Sequence, residues 1–141
     1  MGVIIVDTSV VVKWFIREKY SDNAIKLLKD FKTGNIDLHA PISLLLEFAN
    51  TIRKYYVKKM ISLNLMNEII ETMEEIPIYY HNLTWDLTEK ALQHAIKFSI
   101  TVYDAVYLIL SEANNGIVVT ADERFYNATK EKCNIVFVAN Y

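Results

Sequence analysis

The sequence is short of the residues that mark linkers, disulfide frameworks and cysteine metal sites. Its 141 residues include one cysteine, three glycines and two prolines. The single cysteine, Cys133, excludes an internal disulfide and has no companion at metal-ligand spacing. The scarcity of glycine and proline, together with 52% hydrophobic residues, excludes a linker or a disordered tail. We therefore expect one globular domain over residues 1–141.

The sequence also lacks an excess of either charge and any long apolar run. Its 15 basic and 17 acidic residues give a net charge of −2, which excludes a strongly basic nucleic-acid binder. Binding to a polyanion would have to rely on a local basic patch or a bound cation. No apolar run reaches the length of a membrane span, and the first run, VIIV, is interrupted by Asp7 too early for a signal peptide. We expect a cytoplasmic protein without membrane contact.

The hydrophobic pattern predicts strands that alternate with helices. Short apolar runs predict strands at 3–6, 36–41, 76–82, 116–120 and 135–139. Helical turns are expected from about Val10, and helices at 21–32, 41–59, 62–76, 84–99, 101–115 and 122–131. Pro41 is assigned to the first turn of its helix, and Ser62 and Thr84 are assigned as caps. This alternation indicates an α/β fold whose parallel sheet is covered on both faces.

Two aspartates follow predicted strands, and a third lies in a helix. Asp7 ends the first strand and Asp122 follows the strand at 116–120. Ligands of open α/β sheets bind beyond the carboxyl ends of the strands, near the point where strand order reverses, so these two carboxylates could meet there. All three aspartates also have a simpler interpretation as helix caps. Asp7 and Asp122 could each cap the helix that follows, and Asp104, the aspartate in the helix, could form a capping-box-like pair with Thr101. Both interpretations remain open at this point.

Glu47 is the fourth acid of interest. A helical wheel of residues 41–58 predicts an apolar stripe formed by Leu45, Phe48, Ala49, Ile52 and Tyr56. Glu47 falls on the opposite side with Asn50, Thr51 and Lys54, as expected for a solvated face. However, it lies inside the run SLLLEFAN with Leu44 beside it, which indicates a helix covered on more than one side, by the sheet and by a second subunit.

Several carboxylates in one crevice repel each other unless a cation compensates their charge. Mg²⁺ prefers oxygen ligands and uses one or two carboxylates together with water and substrate phosphate oxygens. Such an ion can activate water and stabilise the charge that develops on a phosphodiester. The chemistry that suits this set of acids is metal-assisted hydrolysis of a phosphodiester.

Four motifs, IIVDTSVVVKWF, LLLEFANTIRK, YDA and TAD, occur in this order over nearly the whole chain. Together they resemble the PIN-domain ribonucleases, most closely the VapC-type toxins of VapBC toxin–antitoxin pairs. The resemblance implies a PIN-like (Rossmann-like) three-layer α/β sandwich with a five-stranded parallel sheet and helices on both faces. It also implies a homodimer, an RNA substrate cut to leave a 5′-phosphate, and a cognate antitoxin protein.

The resemblance assigns catalysis and the binding of Mg²⁺ or Mn²⁺ to four acids, namely Asp7, Glu47, Asp104 and Asp122. It also implies that neighbouring polar side chains orient these carboxylates, namely Thr8, Ser9, Asn50 and Thr120. On this basis the expected function is that of a Mg²⁺-dependent endoribonuclease, the toxin component of a toxin–antitoxin pair.

Basic and aromatic residues near the acids are candidates for contacts with RNA. The basic candidates for phosphate contacts are Lys13, Arg53 and Arg124, with Arg17 and Lys54 as further ones. Ordinary surface charge is the alternative for each of them. Tyr103 and Tyr107 recur at helical spacing with leucine and isoleucine, which favours core or dimer contacts over stacking on bases.

Two other functions remain open from the sequence. One is a non-catalytic PIN-like dimer that binds RNA or a protein. The other is an aspartyl-phosphate phosphotransferase with Asp7 as nucleophile. Such enzymes place a second aspartate two residues later, where this chain has Ser9. This difference makes the phosphotransferase the weaker alternative.

Overall fold

A central sheet of β-branched residues organises the fold. The computed structural model describes residues 2–141. Five parallel strands form the sheet in the order β3-β2-β1-β4-β5. The strands are β1 (Gly2–Val6), β2 (Ile36–Pro41), β3 (Tyr79–His81), β4 (Ile117–Thr120) and β5 (Ile135–Phe137). The predicted α/β fold with a five-stranded parallel sheet is therefore confirmed.

Seven α-helices connect or flank these strands within residues 2–141. They are α1 (Thr8–Val11), α2 (Ser21–Lys32), α3 (Leu44–Val57), α4 (Leu63–Glu75), α5 (Trp85–Phe98), α6 (Val102–Ala113) and α7 (Glu123–Thr129). Short 3₁₀ turns follow α1 at Val12–Trp14 and β5 at Val138–Asn140. None of the helices in this part of the chain is long and apolar enough to cross a membrane.

Both faces of the sheet are covered. In β1, the consecutive residues Ile4, Ile5 and Val6 are all buried, although neighbouring side chains of a strand point to opposite faces. Right-handed crossovers place α1–α4 on one face and α5–α7 on the other. The contacts agree, since α2 packs against β2 while α6 packs against β1, β2 and β4. The result is the expected three-layer sandwich.

The sequence predicted most element boundaries to within a few residues. The predicted caps are confirmed, because the side chain of Ser62 accepts a hydrogen bond from Leu65 N and that of Thr84 accepts one from Leu87 N. The strand predicted at 76–82 is shorter than expected. Pro77 has no amide hydrogen, and Ile78 N bonds to Ile76 O in a tight turn, so pairing begins at Tyr79.

The assignment of Pro41 to the first turn of a helix is wrong. Pro41 is the last residue of β2, in register with His81 of β3, and the next amide, Ile42 N, donates to His81 O. The parallel ladder extends β2 through Pro41, so α3 begins only at Leu44. The cause is tertiary, because the strand that pairs here lies 40 residues further along the chain.

The strand order reverses between β1 and β4. From β1 the chain moves to β2 and β3 on one side, then crosses back to β4 and β5 on the other. The connections that leave the carboxyl ends of β1 and β4 run to opposite sides of the sheet. Open α/β sheets form their ligand-binding crevice between two such connections. Asp7 follows β1 directly, and Asp122 lies two residues after β4.

Candidate functional site

Asp7 lies at the reversal point with its carboxylate held by two hydroxyls. Its Oδ2 accepts hydrogen bonds from Ser9 Oγ at 2.8 Å and from Thr120 Oγ1 at 2.7 Å. Asp7 occupies the N-cap position of α1 but makes no side-chain capping bond there. Asp7 is only 5% exposed. Its carboxylate therefore lines the crevice and does not cap the helix.

Asp122 does act as a helix cap. Its Oδ1 accepts from Arg124 N at 3.0 Å and from Phe125 N at 3.1 Å at the start of α7. Both capping bonds use the same oxygen, so capping and cation binding through Oδ2 do not exclude each other. The two interpretations that the sequence left open for this residue are compatible.

Glu47 points inward from α3. Its Oε2 accepts from Thr8 Oγ1 at 3.2 Å and lies 3.5 Å from the hydroxyl of Tyr107. Its Oε1 is buried and has no hydrogen-bond partner among residues 2–141. A buried carboxylate oxygen without a hydrogen-bond partner destabilises the folded state, so this atom is a candidate ligand for a cation.

The predicted apolar stripe of α3 was partly wrong. The buried residues of the helix are Leu44, Phe48 and Ile52. Three predicted members of the stripe, Leu45, Ala49 and Tyr56, are exposed. The helix contacts α1 and α4, so its orientation is set by tertiary packing that the helical wheel did not contain. Glu47 lines the acidic side of the helix with Asn50, Thr51 and Lys54, as the wheel predicts, but it is only partly exposed there.

Asp104 is the third residue of α6, and its backbone amide donates to Thr101 Oγ1 at 3.1 Å. Its side chain lines the same crevice as the other three acids. This acidic crevice, with a cavity volume of about 520 Å³, is lined by 14 residues including Asp7, Glu47, Asp104 and Asp122. The fold thus brings the four acids of the sequence together at one opening.

The electrostatics of the crevice are unbalanced. Burial, followed by the charge of Asp7, raises the pKa of Glu47 to about 7. Burial, with the charges of Asp7 and Asp122, raises the pKa of Asp104 to about 6. Burial also raises the pKa of Asp7, although the Thr120 and Ser9 hydroxyls act in the opposite direction. The neighbouring charges that raise these three pKa values are those of other carboxylates in the crevice.

This donor set fits a hard divalent cation. Its atoms are carboxylate oxygens, one of them without a hydrogen-bond partner within residues 2–141, and burial together with neighbouring carboxylates raises the pKa values of Glu47 and Asp104. Within residues 2–141, no three His, Cys, Asp or Glu side chains form a ready-made metal cage. Mg²⁺ keeps several of its waters and needs only one or two direct carboxylate ligands, so an open arrangement suits it.

A hydroxyl network joins the ends of β1 and β4. Besides contacting Asp7, Ser9 Oγ accepts from Ala121 N at 2.9 Å, and Thr120 Oγ1 accepts from Asp122 N at 3.0 Å. Thr8 bridges Glu47 and the hydroxyl of Tyr107, which lies 3.2 Å from Thr8 Oγ1. Of the four polar residues implied by the resemblance, Thr8, Ser9 and Thr120 contact the acids, while Asn50 is an exposed residue of the crevice wall.

The basic candidates occupy different surroundings. Lys13 lines the acidic crevice, but its Nζ is 3.1 Å from Glu18 Oε1 and its side chain is only 10% exposed. Lys54 is exposed and lines the same crevice. Arg124 lines an adjoining cavity, and Arg53 is exposed but lines neither of them.

Sequence reasoning missed two residues of the site. Tyr107 is fully buried and places its hydroxyl beside Thr8 and Glu47. The signal was present, because Tyr107 lies one helical turn after Asp104 and shares its face. Glu18 holds Lys13 and also accepts a hydrogen bond from Tyr55 at 2.8 Å. Its sequence context gave no indication of this role.

The α/β sandwich and the acidic crevice at the reversal point of its sheet together define a class of proteins. A comparison of the sequence with known families assigns the chain to one family of that class. The PIN domain family model matches residues 4–131. The chain belongs to the PIN domain family. No curated protein sequence matches the chain.

Several solved structures share the fold. VapC20 of Mycobacterium tuberculosis, described as a sarcin-ricin loop cleaving toxin, has a TM-score of 0.66 at 14% identity and covers 89% of this chain and 95% of its own. VapBC2 of Rickettsia felis, bound to a promoter DNA fragment, has a TM-score of 0.67 at 12% identity, with 96% and 98% covered. A toxin–antitoxin complex from Klebsiella pneumoniae has a TM-score of 0.62 at 12% identity, with 96% and 97% covered. At these identities the likeness is one of fold.

Proposed function

We propose that the chain is a Mg²⁺-dependent endoribonuclease and the toxin component of a toxin–antitoxin pair. The observation that carries this proposal is the convergence of four carboxylates in one crevice, together with Glu47 Oε1, which has no hydrogen-bond partner among residues 2–141. Membership of the PIN family and the toxins among the structural neighbours give it further support. In this proposal, residues 1–141 act as a single cytoplasmic PIN domain.

The four acids, Asp7, Glu47, Asp104 and Asp122, would hold Mg²⁺ or Mn²⁺. When bound, such an ion acidifies water and offsets the negative charge that builds up on a phosphodiester. The hydroxyls of Thr8, Ser9 and Thr120 keep the carboxylates of Asp7 and Glu47 in place, so that the site needs little rearrangement when it binds the ion. Hydrolysis adds water across the P–O3′ bond and leaves a 5′-phosphate and a 3′-hydroxyl.

RNA would be held through its phosphates by the basic residues beside the crevice. Lys13 and Arg124 line cavities that open onto the acids, and Arg53 lies next to Lys54 on the surface of α3. Asn50 is exposed on the crevice wall, about one helical turn after Glu47. It is placed to contact the substrate or to orient the Glu47 carboxylate. A phosphate that enters the crevice would compete with Glu18 for the ammonium group of Lys13.

A homodimer and an antitoxin partner are also part of the proposal. Large apolar side chains on one side of α3 are exposed, with Leu45 at 46%, Leu46 at 78% and Val57 at 58%. Surfaces of this kind are typical of protein interfaces. A monomeric mass in light scattering would contradict the homodimer, and absence of a small neighbouring gene for a DNA-binding protein would weaken the toxin assignment.

The decisive experiment incubates the purified chain with structured RNAs, with and without Mg²⁺, beside an Asp104→Asn variant. We expect cleavage with Mg²⁺ that is lost on adding EDTA and in the variant. Cleavage that survives both treatments would refute the metal mechanism. If calorimetry detects no binding of divalent ions, the non-catalytic PIN-like dimer becomes the better explanation.

A further inference from the structure

Two histidines from neighbouring strands meet at the edge of the sheet, outside the acidic crevice. His39 Nδ1 of β2 lies 2.8 Å from His81 Nε2 of β3, although the two residues are 42 positions apart in the chain. In the parallel register His39 is opposite Tyr79 and His81 is opposite Pro41, so the two rings are diagonal neighbours on one face of the sheet. Neither histidine lines the acidic crevice. The proposed nuclease function gives this pair no role.

The orientation of the two rings is supported by Tyr79. The centroid of the Tyr79 ring lies 5.0 Å from that of His39 and 4.7 Å from that of His81, and both histidines are half-buried. Rings that are packed in this way keep their facing nitrogens close to one point. A ligand that binds there requires little rearrangement of the side chains.

Both histidines favour the neutral form that binds metal ions. Burial lowers the pKa of His39 against the opposing charge of Asp37, and burial together with the charge of His39 lowers the pKa of His81. In the 2.8 Å contact one ring nitrogen carries a hydrogen and the other accepts it. When that hydrogen moves to the other nitrogen of its own ring, both facing nitrogens present a lone pair and no net proton is released.

The spacing of the two nitrogens is close to that of ligands on a single ion. With metal–nitrogen bonds of about 2.0–2.1 Å, two imidazoles on one tetrahedral ion have their nitrogens about 3.3 Å apart. The observed 2.8 Å would therefore have to widen by only about 0.5 Å. Imidazole nitrogen suits zinc, copper and nickel, whereas Mg²⁺ prefers oxygen. The pair thus selects a different class of ion from the acidic crevice.

Water must complete the coordination of such an ion. Within residues 2–141 no third His, Cys, Asp or Glu side chain joins the two histidines to form a metal-binding group. His81 lines a cavity of about 340 Å³ between β3, α5 and α6, together with Asn82, Thr84 and Asn114, which leaves space for water beside it. A site with two imidazoles and open positions differs from structural zinc sites, which have four protein ligands.

We propose that His39 and His81 bind one divalent transition-metal ion of the zinc class at the edge of the sheet, separately from the acidic crevice. The ion would join β2 to β3 beside the point where Ile42 N donates to His81 O and the chain turns toward α3. It would stabilise the three-residue edge strand β3. This inference goes beyond the proposed function and does not depend on it.

Calorimetry with Zn²⁺ tests the inference. The titration uses an Asp104→Asn parent in excess Mg²⁺, which limits binding of Zn²⁺ to the acidic crevice, and we expect one Zn²⁺ per chain. His39→Gln and His81→Gln in this background should each bind Zn²⁺ at least about tenfold more weakly, because even groups that only orient a metal ligand change affinity by about 10–100-fold. The melting temperature of the parent should rise by about 5 °C when free Zn²⁺ is about ten times the dissociation constant.

Two control variants address other side chains that bind Zn²⁺. His94 on α5 is bonded through Nε2 to Glu112 Oε1 at 2.8 Å, apart from the histidine pair, and Cys133 is a free thiol. His94→Gln and Cys133→Ser should both bind Zn²⁺ as the parent does. Circular dichroism without metal checks that every variant is folded.

Nuclear magnetic resonance of the unaltered chain provides a test that needs no histidine variant. In excess Mg²⁺, added Zn²⁺ should shift the imidazole ¹⁵N resonances of His39 and His81 and leave those of His94 unchanged. Equal Zn²⁺ affinity in the parent and in both pair variants, or binding that leaves the His39 and His81 resonances unchanged, would place the ion elsewhere and overturn the inference. Absence of Zn²⁺ binding would reduce the pair to a hydrogen bond and would also overturn it.

Discussion

Thr120 Oγ1 donates a 2.7 Å hydrogen bond to Asp7 Oδ2 across 113 residues of sequence. This bond connects the ends of the two central strands at the point where the sheet order reverses. Thr120 is fully buried, and its oxygen also accepts from Asp122 N. One hydroxyl thus links two of the four acids, and several predictions concern this network.

Replacing Thr120 by valine removes the hydroxyl but keeps the shape of the side chain. Asp122 N then loses its acceptor and Asp7 loses one of its donors. We expect the free energy of unfolding to fall by about 1–3 kcal/mol, as measured by urea denaturation. Thr88→Val is a suitable control, because the Thr88 hydroxyl bonds to the Thr84 carbonyl of its own helix, away from the crevice. Equal stability of Thr120→Val and the parent would mean that the network contributes little to the fold.

Replacing Asp7 by asparagine should stabilise the chain when no metal is present. Asp7 is buried and its charge is uncompensated, whereas an asparagine oxygen can still accept from Ser9 and Thr120. We expect the metal-free melting temperature at about pH 8 to rise by roughly 3 °C, which corresponds to about 1 kcal/mol.

The same Asp7→Asn variant should no longer be stabilised by Mg²⁺. Asp22→Asn is the matched control, since Asp22 forms an exposed ion pair with Arg17 and should change stability little. A lower metal-free melting temperature for Asp7→Asn would contradict the interpretation of Asp7 as a destabilising buried charge.

The stability of the metal-free chain should fall as the pH rises through the slightly acidic range. Glu47, with a pKa raised to about 7, and Asp104, with a pKa raised to about 6, bind protons more tightly in the folded state than in the unfolded state. Between the unfolded and folded pKa values the folded state therefore holds more protons, and stability decreases with pH. Melting temperatures measured between about pH 4.5 and about pH 8 test this expectation.

Mg²⁺ should reverse this trend, because the ion binds the ionised carboxylates and competes with protons. The stabilisation by Mg²⁺ should therefore increase with pH up to about pH 8. Glu47→Gln should reduce both the metal-free pH dependence and the effect of Mg²⁺. A metal-free stability that does not vary over this range would show that the acids are compensated by another group.

Replacing Tyr107 by phenylalanine should weaken Mg²⁺ binding although Tyr107 is not a proposed ligand. Its hydroxyl lies 3.2 Å from Thr8 Oγ1 and 3.5 Å from Glu47 Oε2, so it positions the carboxylate. We expect about tenfold weaker Mg²⁺ affinity in calorimetry, in the range known for groups that orient metal ligands. Tyr103→Phe on the same helix is the control, because Tyr103 is 70% exposed. Unchanged affinity in Tyr107→Phe would assign Tyr107 to packing alone.

The sequence predicted the fold class correctly, and the four acids that it singled out lie together in one crevice. Short apolar runs that alternate with helical patterns indicated strands buried on both faces, and this led to a parallel sheet with helices around it. The acids at 7 and 122 followed from the rule that ligands bind beyond strand ends. Glu47 stood out by its place inside the apolar run SLLLEFAN, and the family motifs assigned Glu47 and Asp104 to the same site as the other two acids.

The sequence was less informative where a distant part of the chain decides the outcome. The pairing of Pro41 with His81 extended a strand into a predicted helix. The packing of α3 buried Leu44 and left Leu45 exposed, contrary to the helical wheel. In each case the deciding contact comes from an element that a local window does not contain.

By itself, the sequence determined the order and approximate positions of the strands and helices and which acids could take part in chemistry, because those properties depend on local period and side-chain type. Only the tertiary structure decided that Asp7 is held by hydroxyls while Asp122 caps a helix, and that Tyr107 supports Glu47. It also decided that Lys13 pairs with Glu18, whereas Lys54 and Arg124 are exposed beside the acids. The physical reason is that hydrogen bonding, burial and charge compensation depend on distances between atoms, which are set when the strands and helices pack.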